Sequence, residues 1–520
     1  METRKSLYSY VLDSVTDKKE PMLIYNGRSI SAEKLLSTVL RAGEFLREQG
    51  ITKDDVVGIM LPNIPEAIYA LYASNAIDAI CNLINPRMGK KGLENLLIFT
   101  ETKIVYTLLP LYLKHKDTFK KLRIKVVICS TSGIVGECLE SLLFHKLTYF
   151  NISLPNRCVS PVETDGSEIA VYIHSGGTTG TPKTVMLSSY ALNSLANNIV
   201  TTVRPNGDYS RAKDATVMML PIFHAFGLGV VAHTMLASIK VVLLPRFRPR
   251  KANRLIKKYK ATYIAGVPAM YRKMLEKDNF DGKTLEFVFC GGDKLASDVK
   301  EKFNQSLIDS GSNCEILEGY GLTETSSVVS VGENGKTNKG SLGTPLKGNL
   351  IEIVDDEGNT VEIGEVGNII VSANSLMTGY LKDEETTKEV IFEKNGKLYL
   401  KTGDLGRFDI DGKLYFVERK KRSIKIGAIN VFPSEIENVV CEIDGIKACC
   451  AARKYNANGK ALISLHVVSE DGIDNTELIK KIEKEIAYKL HPYAVPREFH
   501  FEKSLKMTMF GKIDYKYYEK

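Results

Sequence analysis

The chain has 520 residues, too many for a single hydrophobic core, so two or three domains are expected. Its hydrophobic content of 44% and charged content of 25% are those of an ordinary soluble globular protein. A net charge of +8, spread along the sequence, suits small anionic ligands such as nucleotides and gives no argument for nucleic acid.

The N-terminus, Met1-Glu-Thr-Arg-Lys-Ser, has charges but no apolar run behind them, so no signal peptide is expected and a cytoplasmic location is. Nine cysteines without a C-x-x-C pair argue against a disulfide framework or a zinc site. Residues 22–30 alternate around Asn26-Gly27, a hairpin signal. A helical pattern follows from Ser31 through Leu35, Leu36, Val39, Phe45 and Leu46, and Gly50 stops it. Val56–Leu61 reads as a buried strand, Ala67–Ile77 as an amphipathic helix and Ala79–Ile84 as another strand. Ile104–Leu109 and Lys125–Cys129 repeat the theme, so βαβ units around a mostly parallel sheet are predicted.

The next stretch, Val171-Tyr-Ile-His-Ser-Gly-Gly-Thr-Thr-Gly-Thr-Pro-Lys-Thr-Val-Met-Leu187, concentrates glycines, threonines and a lysine between two apolar segments. Glycine lets backbone N–H groups approach an anion, hydroxyls add donors and lysine adds a point charge, so a triphosphate is the expected ligand. A flexible surface turn is the plainer alternative. The loop is not a Walker A motif: counting from Gly177, Pro182 falls where the second glycine belongs and removes an N–H.

Beyond it, Ala215–Leu220, a long helix and Lys240–Leu244 continue the α/β pattern. The run between Asp214 and Lys240 has 25 residues without Asp, Glu, Lys or Arg, yet Pro221, two histidines and two glycines argue for a buried strand, loop and helix over a membrane span. Thr262–Ala265 and Phe287–Cys290 read as core strands. From about residue 340, turn signals at Asp355-Asp-Glu-Gly, Asn395-Gly and Asp411-Gly imply antiparallel hairpins and a barrel-like subdomain. The basic run Glu418-Arg-Lys-Lys-Arg-Ser423 reads as a linker, and Ser434-Glu-Ile-Glu437 as a capping box opening a helix in a compact α+β unit. Another helix is expected from Asp474 to Leu490, and Cys449 and Cys450 as buried thiols.

Further short elements follow the threonine-rich loop in order: Pro221-Ile-Phe-His-Ala-Phe-Gly-Leu228, Gly291-Gly-Asp-Lys-Leu295, Gly319-Tyr-Gly-Leu-Thr-Glu-Thr325, Thr402-Gly-Asp404, Arg419 through Glu437, and Gly511-Lys512. In order, spacing and residue type the whole chain resembles the adenylate-forming superfamily of acyl- and aryl-CoA synthetases, luciferases and peptide-synthetase adenylation domains, within its acyl-CoA synthetase branch. The resemblance implies an α/β fold. Residues 1–420 would form a large N-terminal ATP- and acid-binding domain of stacked βαβ sheets, with a barrel-like part at about 340–420. Residues 421–520 would form a small, mobile α+β C-terminal domain carrying a catalytic lysine.

It also implies roles. Ser175, Gly177, Thr178, Thr179, Gly180 and Lys183 would hold the β- and γ-phosphates of ATP, with Gly291, Gly292, Asp293, Gly319 and Gly321 completing the nucleotide site. Tyr320 would stack on adenine, Thr323 would donate to the α-phosphate, and Glu324, with Thr178, would bind Mg²⁺. By itself the Glu324 turn could be a tight connection. Asp404 and Arg419 would hold the ribose, although a lone Asp on a loop is usually a turn former. Lys512 would neutralise charge as the acyl-adenylate forms; outside its Thr-x-x-Gly-Lys context it reads as a surface lysine. Lys421 would be the hinge and Lys425 part of the second, thioester-forming face.

His224 sits among apolar neighbours with no carboxylate in its run, which suits a plain fatty or aryl acid over an amino acid, an ordinary core histidine being the alternative. Some positions depart from the family pattern: Lys506 for a proline, Thr184 for a glycine, Gly176 for Ser or Thr, and Ala428 where a glycine opens the pantetheine tunnel. The expected activity is an ATP-dependent acid–thiol ligase with coenzyme A as co-substrate, placed in fatty acid metabolism. One alternative is a stand-alone adenylating enzyme that passes the acyl group to a carrier protein's phosphopantetheine. Another is a catalytically silent ATP- or acyl-binding regulator.

Overall fold

A computed structural model describes residues 2–174, 183–205, 207, 209–277, 279–336, 338–426, 429–456, 461–470, 474–490, 492–507 and 513–519. They divide into two compact units, one of residues 2–350 and 371–400, the other of residues 351–370 and 401–519. The class is mixed α/β, as expected.

The first unit is built on two sheets. The nine-stranded sheet is parallel through Ile316–Leu322, Phe287–Cys290, Tyr263–Gly266, Ala215–Met218, Lys240–Leu243 and Pro21–Tyr25, with antiparallel strands at both edges. The eight-stranded sheet is parallel from Ile169–His174 through Ile80–Leu83, Val56–Met60, Thr102–Leu108 and Lys125–Cys129 to Thr148–Tyr149. Such strands are covered on both faces, which is why Val56–Met60 and Ile80–Leu83 are buried throughout, the first a continuous apolar run and the second apolar but for Asn82. At the edge of the other sheet, Asn26 and Gly27 take positive φ values of 47° and 82°, closing the hairpin as the Asn-Gly pair requires. Ser31 caps the following helix, Ala32–Glu48, through a hydrogen bond from the Lys34 N–H.

Helix Pro65–Ala76 corrects one expectation. It is not amphipathic; all twelve of its residues are buried. Its polar members reach other elements: Asn75 accepts from the Tyr8 N–H at 3.1 Å and donates to Ser189 Oγ at 2.9 Å, and Glu66 Oε1 accepts from the Asn151 side-chain amide at 3.0 Å. A helix with no wet face needs no hydrophobic stripe, and periodicity misleads there.

The uncharged stretch after Asp214 holds the strand Ala215–Met218, a loop and a buried helix, but its helical part Phe226–Met235 is a π-helix. Its two glycines are required by close packing. A Cβ on Gly227 would stand 2.1 Å from Pro221 O, and one on Gly229 would stand 2.8 Å from Ser326 O. His233 is a satisfied core histidine: its Nε2–H donates to Asn193 at 2.8 Å, Tyr72 OH lies 3.0 Å from Nδ1, and burial pushes its pKa down to about 3.

Strands from the region expected to be barrel-like form a five-stranded sheet in the order Leu350–Val354, Gly367–Ser372, Lys397–Phe408, Ile391–Lys394, with Leu414–Arg419 on Lys397–Phe408. The C-terminal region carries a three-stranded sheet, Ile446–Tyr455, Ala461–Ser469 and Glu498–Phe501, and helices Pro433–Cys441 and Asn475–Lys489. Cys449 and Cys450 are buried on its first strand. The capping box does not form. The helix starts two residues earlier than such a box requires, at Pro433 with Phe432 as its N-cap, and Ser434 Oγ instead donates to Val417 O at 2.6 Å. Glu437 is drawn off to Arg422 at 2.8 Å, so long-range partners outcompete the local cap.

Candidate active site

Strands Ile169–His174 and Thr184–Ser188 pair antiparallel, with His174 opposite Thr184. The threonine-rich loop joins them, and Ser175, Gly177, Thr178, Thr179 and Gly180 lie outside the described residues. Both of its flanks are held. The His174 Nε2–H donates to Asn82 Oδ1 at 2.6 Å, since the Asn82 amide N is committed to Thr100 and Thr102. That leaves Nδ1 to accept from the Thr184 hydroxyl at 3.0 Å. Burial pushes the imidazole down to about 4, so it stays neutral and serves as a rigid post at the loop's entrance.

At the exit, Lys183 Nζ stands 4.6 Å from the ring centroid of Tyr380. The Tyr380 hydroxyl donates to Glu324 Oε1 at 2.9 Å. Burial, with the Glu324 charge beside it, holds this phenol well above its usual range, so it works as a fixed donor. A cation, a phenol and a carboxylate are thus linked in one row. The strand Gly379–Tyr380 makes this possible by adding to the sheet edge at Val185 and Met186.

The expected Gly319–Thr325 turn is a strand end followed by one 3₁₀ turn, Thr323–Thr325. Thr325 Oγ1 donates to Ser327 O at 2.7 Å and receives the Leu322 N–H at 3.0 Å, pinning the turn from inside. Ser326 takes a φ of 60°, and its hydroxyl donates to Ser375 O at 2.8 Å. The Met377 N–H donates to Glu324 O at 2.8 Å. Thr323 and Glu324 are therefore presented, half-buried, on a backbone braced from two sides. Only glycine fits at 321, where a Cβ would stand 1.8 Å from Ser327 O. Tyr320 is buried opposite Ser330.

Gly291, Gly292 and Asp293 lie just past the C-terminal end of the parallel strand Phe287–Cys290. Crevices at such ends are where open α/β sheets bind ligands. A Cβ on Gly291 would be 3.4 Å from Gly319 O, so the two glycine motifs are neighbours. Asp293 is exposed. His224 is half-buried ahead of the π-helix, its ring 4.7 Å from that of Phe223. The contact of Gly229 with Ser326 ties this helix to the Glu324 turn.

In the second unit Asp404 and Arg419 are direct cross-strand partners, with Oδ1 and Nη1 2.8 Å apart. Asp404 is buried and Arg419 half exposed. The Asp404 N–H donates to Thr402 Oγ1 at 3.1 Å, and Thr402 anchors to Ile369 O at 2.7 Å. Lys421 is exposed on the 3₁₀ turn Lys420–Arg422, and Lys425 is exposed on the strand Ile424–Ile426. Lys512, with Gly511, Gly427 and Ala428, lies outside the described residues.

Sequence reasoning missed several members of this arrangement. Tyr380 carries no local signal, because strand addition alone brings it to Lys183. His174 heads the threonine-rich stretch, but its anchor Asn82 lies far away in sequence, on the neighbouring strand of the sheet. Glu418 and Arg422 looked like part of a solvated linker, yet both are largely buried. The Arg422 guanidinium pairs with Glu437 and stacks 3.6 Å over the Tyr515 ring. The run therefore alternates between anchored residues and the exposed Lys421.

The AMP-binding enzyme family model matches residues 14–381, and the AMP-binding enzyme C-terminal domain model matches residues 435–512. A probable 4-coumarate–CoA ligase of Dictyostelium discoideum is 30% identical, over 86% of this chain and 82% of its own. A long-chain-fatty-acid–CoA ligase of Bacillus subtilis is 28% identical, over 98% and 93%. ATP-bound MatB from Rhodopseudomonas palustris shares the fold with a TM-score of 0.86 at 22% identity, covering 100% of this chain and 98% of that one. The o-succinylbenzoate CoA synthetase of Bacillus subtilis, solved with its acyl-adenylate, gives 0.82 at 21% identity over 98% of each chain. The chain belongs to the AMP-binding enzyme family, in the acyl-CoA synthetase branch of the adenylate-forming superfamily.

Proposed function

We propose that the protein is an ATP-dependent carboxylic acid–CoA ligase for a fatty or aryl acid. A carboxylate oxygen attacks the α-phosphorus of ATP and pyrophosphate leaves, giving an acyl-adenylate. The thiol of CoA then attacks the acyl carbon, its proton is lost, and AMP departs. Catalysis of the first step rests on positioning and on charge stabilisation, with no protein nucleophile.

The observation that carries this reading is the row Lys183–Tyr380–Glu324 at the exit of the threonine-rich loop. The loop and Lys183 take the β- and γ-phosphates, Thr323 the α-phosphate, Tyr320 the adenine, and Asp404 with Arg419 the ribose. Glu324 fits Mg²⁺: it is an oxygen ligand braced by a phenol and a backbone contact, and Mg²⁺ is held by one or two carboxylates plus phosphate oxygens. Bound there with Thr178, the ion would offset phosphate charge. His224 and the apolar π-helix border the acid. Residues 421–520, turning about Lys421, supply Lys512 for adenylation and Lys425 for thioester formation.

The named relatives act with CoA, which favours it over a carrier protein as acceptor. Among the described residues no helix is long and apolar enough to cross a membrane. A cytoplasmic setting and a place in fatty acid metabolism are part of the same proposal.

A pyrophosphate-release screen over fatty and aryl acids, with and without CoA, tests the reading. Acid-dependent release, with AMP turnover stimulated by CoA, is expected. Turnover only with a carrier protein, or ATP binding without pyrophosphate exchange for any acid, would overturn it.

A further inference from the structure

Helix Ile134–Leu143 carries its apolar face outward. Ile134 is 52% exposed, Val135 55%, Leu139 64%, Leu142 78% and Leu143 79%. With Cys138 they occupy positions i, i+1, i+4, i+5, i+8 and i+9, which lie along one side of a helix. The acids of the helix are on the other side. Glu137 is fully buried, accepting the Asn151 N–H at 2.7 Å and its side-chain amide at 2.9 Å. Glu140 accepts from Ser130 Oγ at 3.2 Å. Gly136 seats the same side so closely that a Cβ would stand 2.2 Å from Ser130 Oγ. With its carboxylates hydrogen-bonded inward and its backbone in contact, the helix cannot roll its leucines under. Ile152, 47% exposed, follows the residue that grips Glu137. A patch of this kind marks an interaction surface.

The charge around it says what covers it. Strands Thr102–Leu108, Lys125–Cys129 and Thr148–Tyr149 are successive parallel neighbours, so right-handed crossovers put helices Leu109–Lys121 and Ile134–Leu143 on the same side of the sheet. Phe144 and Leu147, just past the apolar helix, pack in one cluster with Tyr112 of the other. Lys114, Lys116 and Lys120 of that helix are exposed, as is Lys146. Between Leu109 and Leu147 Asp117 is the single exposed acid, because Glu137 and Glu140 are turned in. The surroundings are thus positive. A second copy docking by the same face would meet an identical positive rim, whereas an anionic surface would be attracted.

We propose that this face docks on an anionic lipid bilayer, with helix Ile134–Leu143 lying in the plane of the interface. The aliphatic side chains enter the boundary between headgroups and acyl chains, and the lysines meet the headgroup charge. The proposal rests on the surface alone and is independent of the reaction catalysed.

Co-sedimentation of the full chain with phosphatidylcholine vesicles, with and without about 30% phosphatidylglycerol, tests it. Binding is expected to the phosphatidylglycerol vesicles and to weaken in about 0.5 M NaCl. L139Q/L142Q/L143Q should lower the partition coefficient at least about ten-fold. K114Q/K120Q should weaken binding only where the anionic lipid is present. All the replaced side chains are exposed, so thermal unfolding should be unchanged; should the triple variant misfold, Leu142→Gln alone must show the same direction of effect. Equal vesicle binding by wild type and variants, no binding at all, or a wild-type dimer that the triple variant returns to monomer would each overturn the proposal.

Discussion

The hydroxyl of Tyr380 donates a 2.9 Å hydrogen bond to Glu324 while the face of its ring receives the Lys183 ammonium. One side chain thereby sets the spacing between a cation just ahead of the strand Thr184–Ser188 and a carboxylate on the 3₁₀ turn Thr323–Thr325. Tyr380→Phe keeps the ring and removes the donor. A charge-assisted hydrogen bond contributes roughly 1.5–3 kcal/mol, so kcat/KM for MgATP should fall by about ten- to a hundred-fold. The Mg²⁺ concentration for half-maximal pyrophosphate release should shift with it. An unchanged Mg²⁺ dependence would remove Tyr380 from the site.

Asp404→Asn tests the second unit. The substitution takes the charge from a buried partner of Arg419 while keeping its shape. Arg419 is half exposed and can return to water, so the cost in stability should be small. The KM for ATP should instead rise by roughly ten-fold or more, from the loss of a charged acceptor, with the KM for the acid unchanged. Equal increases in both would mean a structural role.

Gly321→Ala brings a methyl group to within 1.8 Å of Ser327 O, a backbone atom that cannot step aside. Destabilisation of roughly 1–3 kcal/mol or more is expected, seen as a lowered Tm. Gly89→Ala is the control, since a Cβ there meets nothing within 4 Å. Similar Tm values for the two would contradict the packing described.

Glu137 carries a pH signature. Burial pushes its carboxyl up to about 7 against the hydrogen bonds from Asn151, with Glu66 pushing the same way as burial. The folded form therefore binds the proton more tightly than the unfolded one. Its contribution to stability is complete below the unfolded pKa and is lost as pH rises through about 7, an upper limit of roughly 3 kcal/mol. Glu137→Gln cannot titrate, so its Tm relative to wild type should be higher at alkaline pH than at acidic pH. A difference independent of pH would exclude this linkage.

Lys512→Ala should abolish acid-dependent pyrophosphate exchange yet leave thioester formation from supplied acyl-adenylate largely intact. That prediction rests on the Thr-x-x-Gly-Lys motif near the C-terminus. Equal loss of both half-reactions would count against separate faces for the two steps.

Much of the architecture could be read along the chain because parallel strands buried on both faces are forced to be apolar runs. Lys125–Cys129 and Phe287–Cys290 have the predicted boundaries. The Asn26-Gly27 turn was legible for a similar reason, since few residues tolerate its backbone angles. Local rules failed where distant groups competed. Ser434 and Glu437 fit a capping box in sequence, yet Val417 and Arg422 claim them. Helix Pro65–Ala76 was misread as half-wet because periodicity cannot reveal a helix enclosed on every side.

By itself the sequence determined the order and chemistry of the motifs: a threonine-rich loop, a glycine-flanked Thr-Glu pair, an Asp answered by an Arg. Residue type and spacing are enough for these, because each motif is a short local stretch. Only the tertiary structure decided that Tyr380 joins Lys183 to Glu324, that Asn82 fixes His174, and that the leucines of helix Ile134–Leu143 face outward. Those relationships arise from strand addition and from which side of a helix its carboxylates are held, and neither is written in any local run of residues.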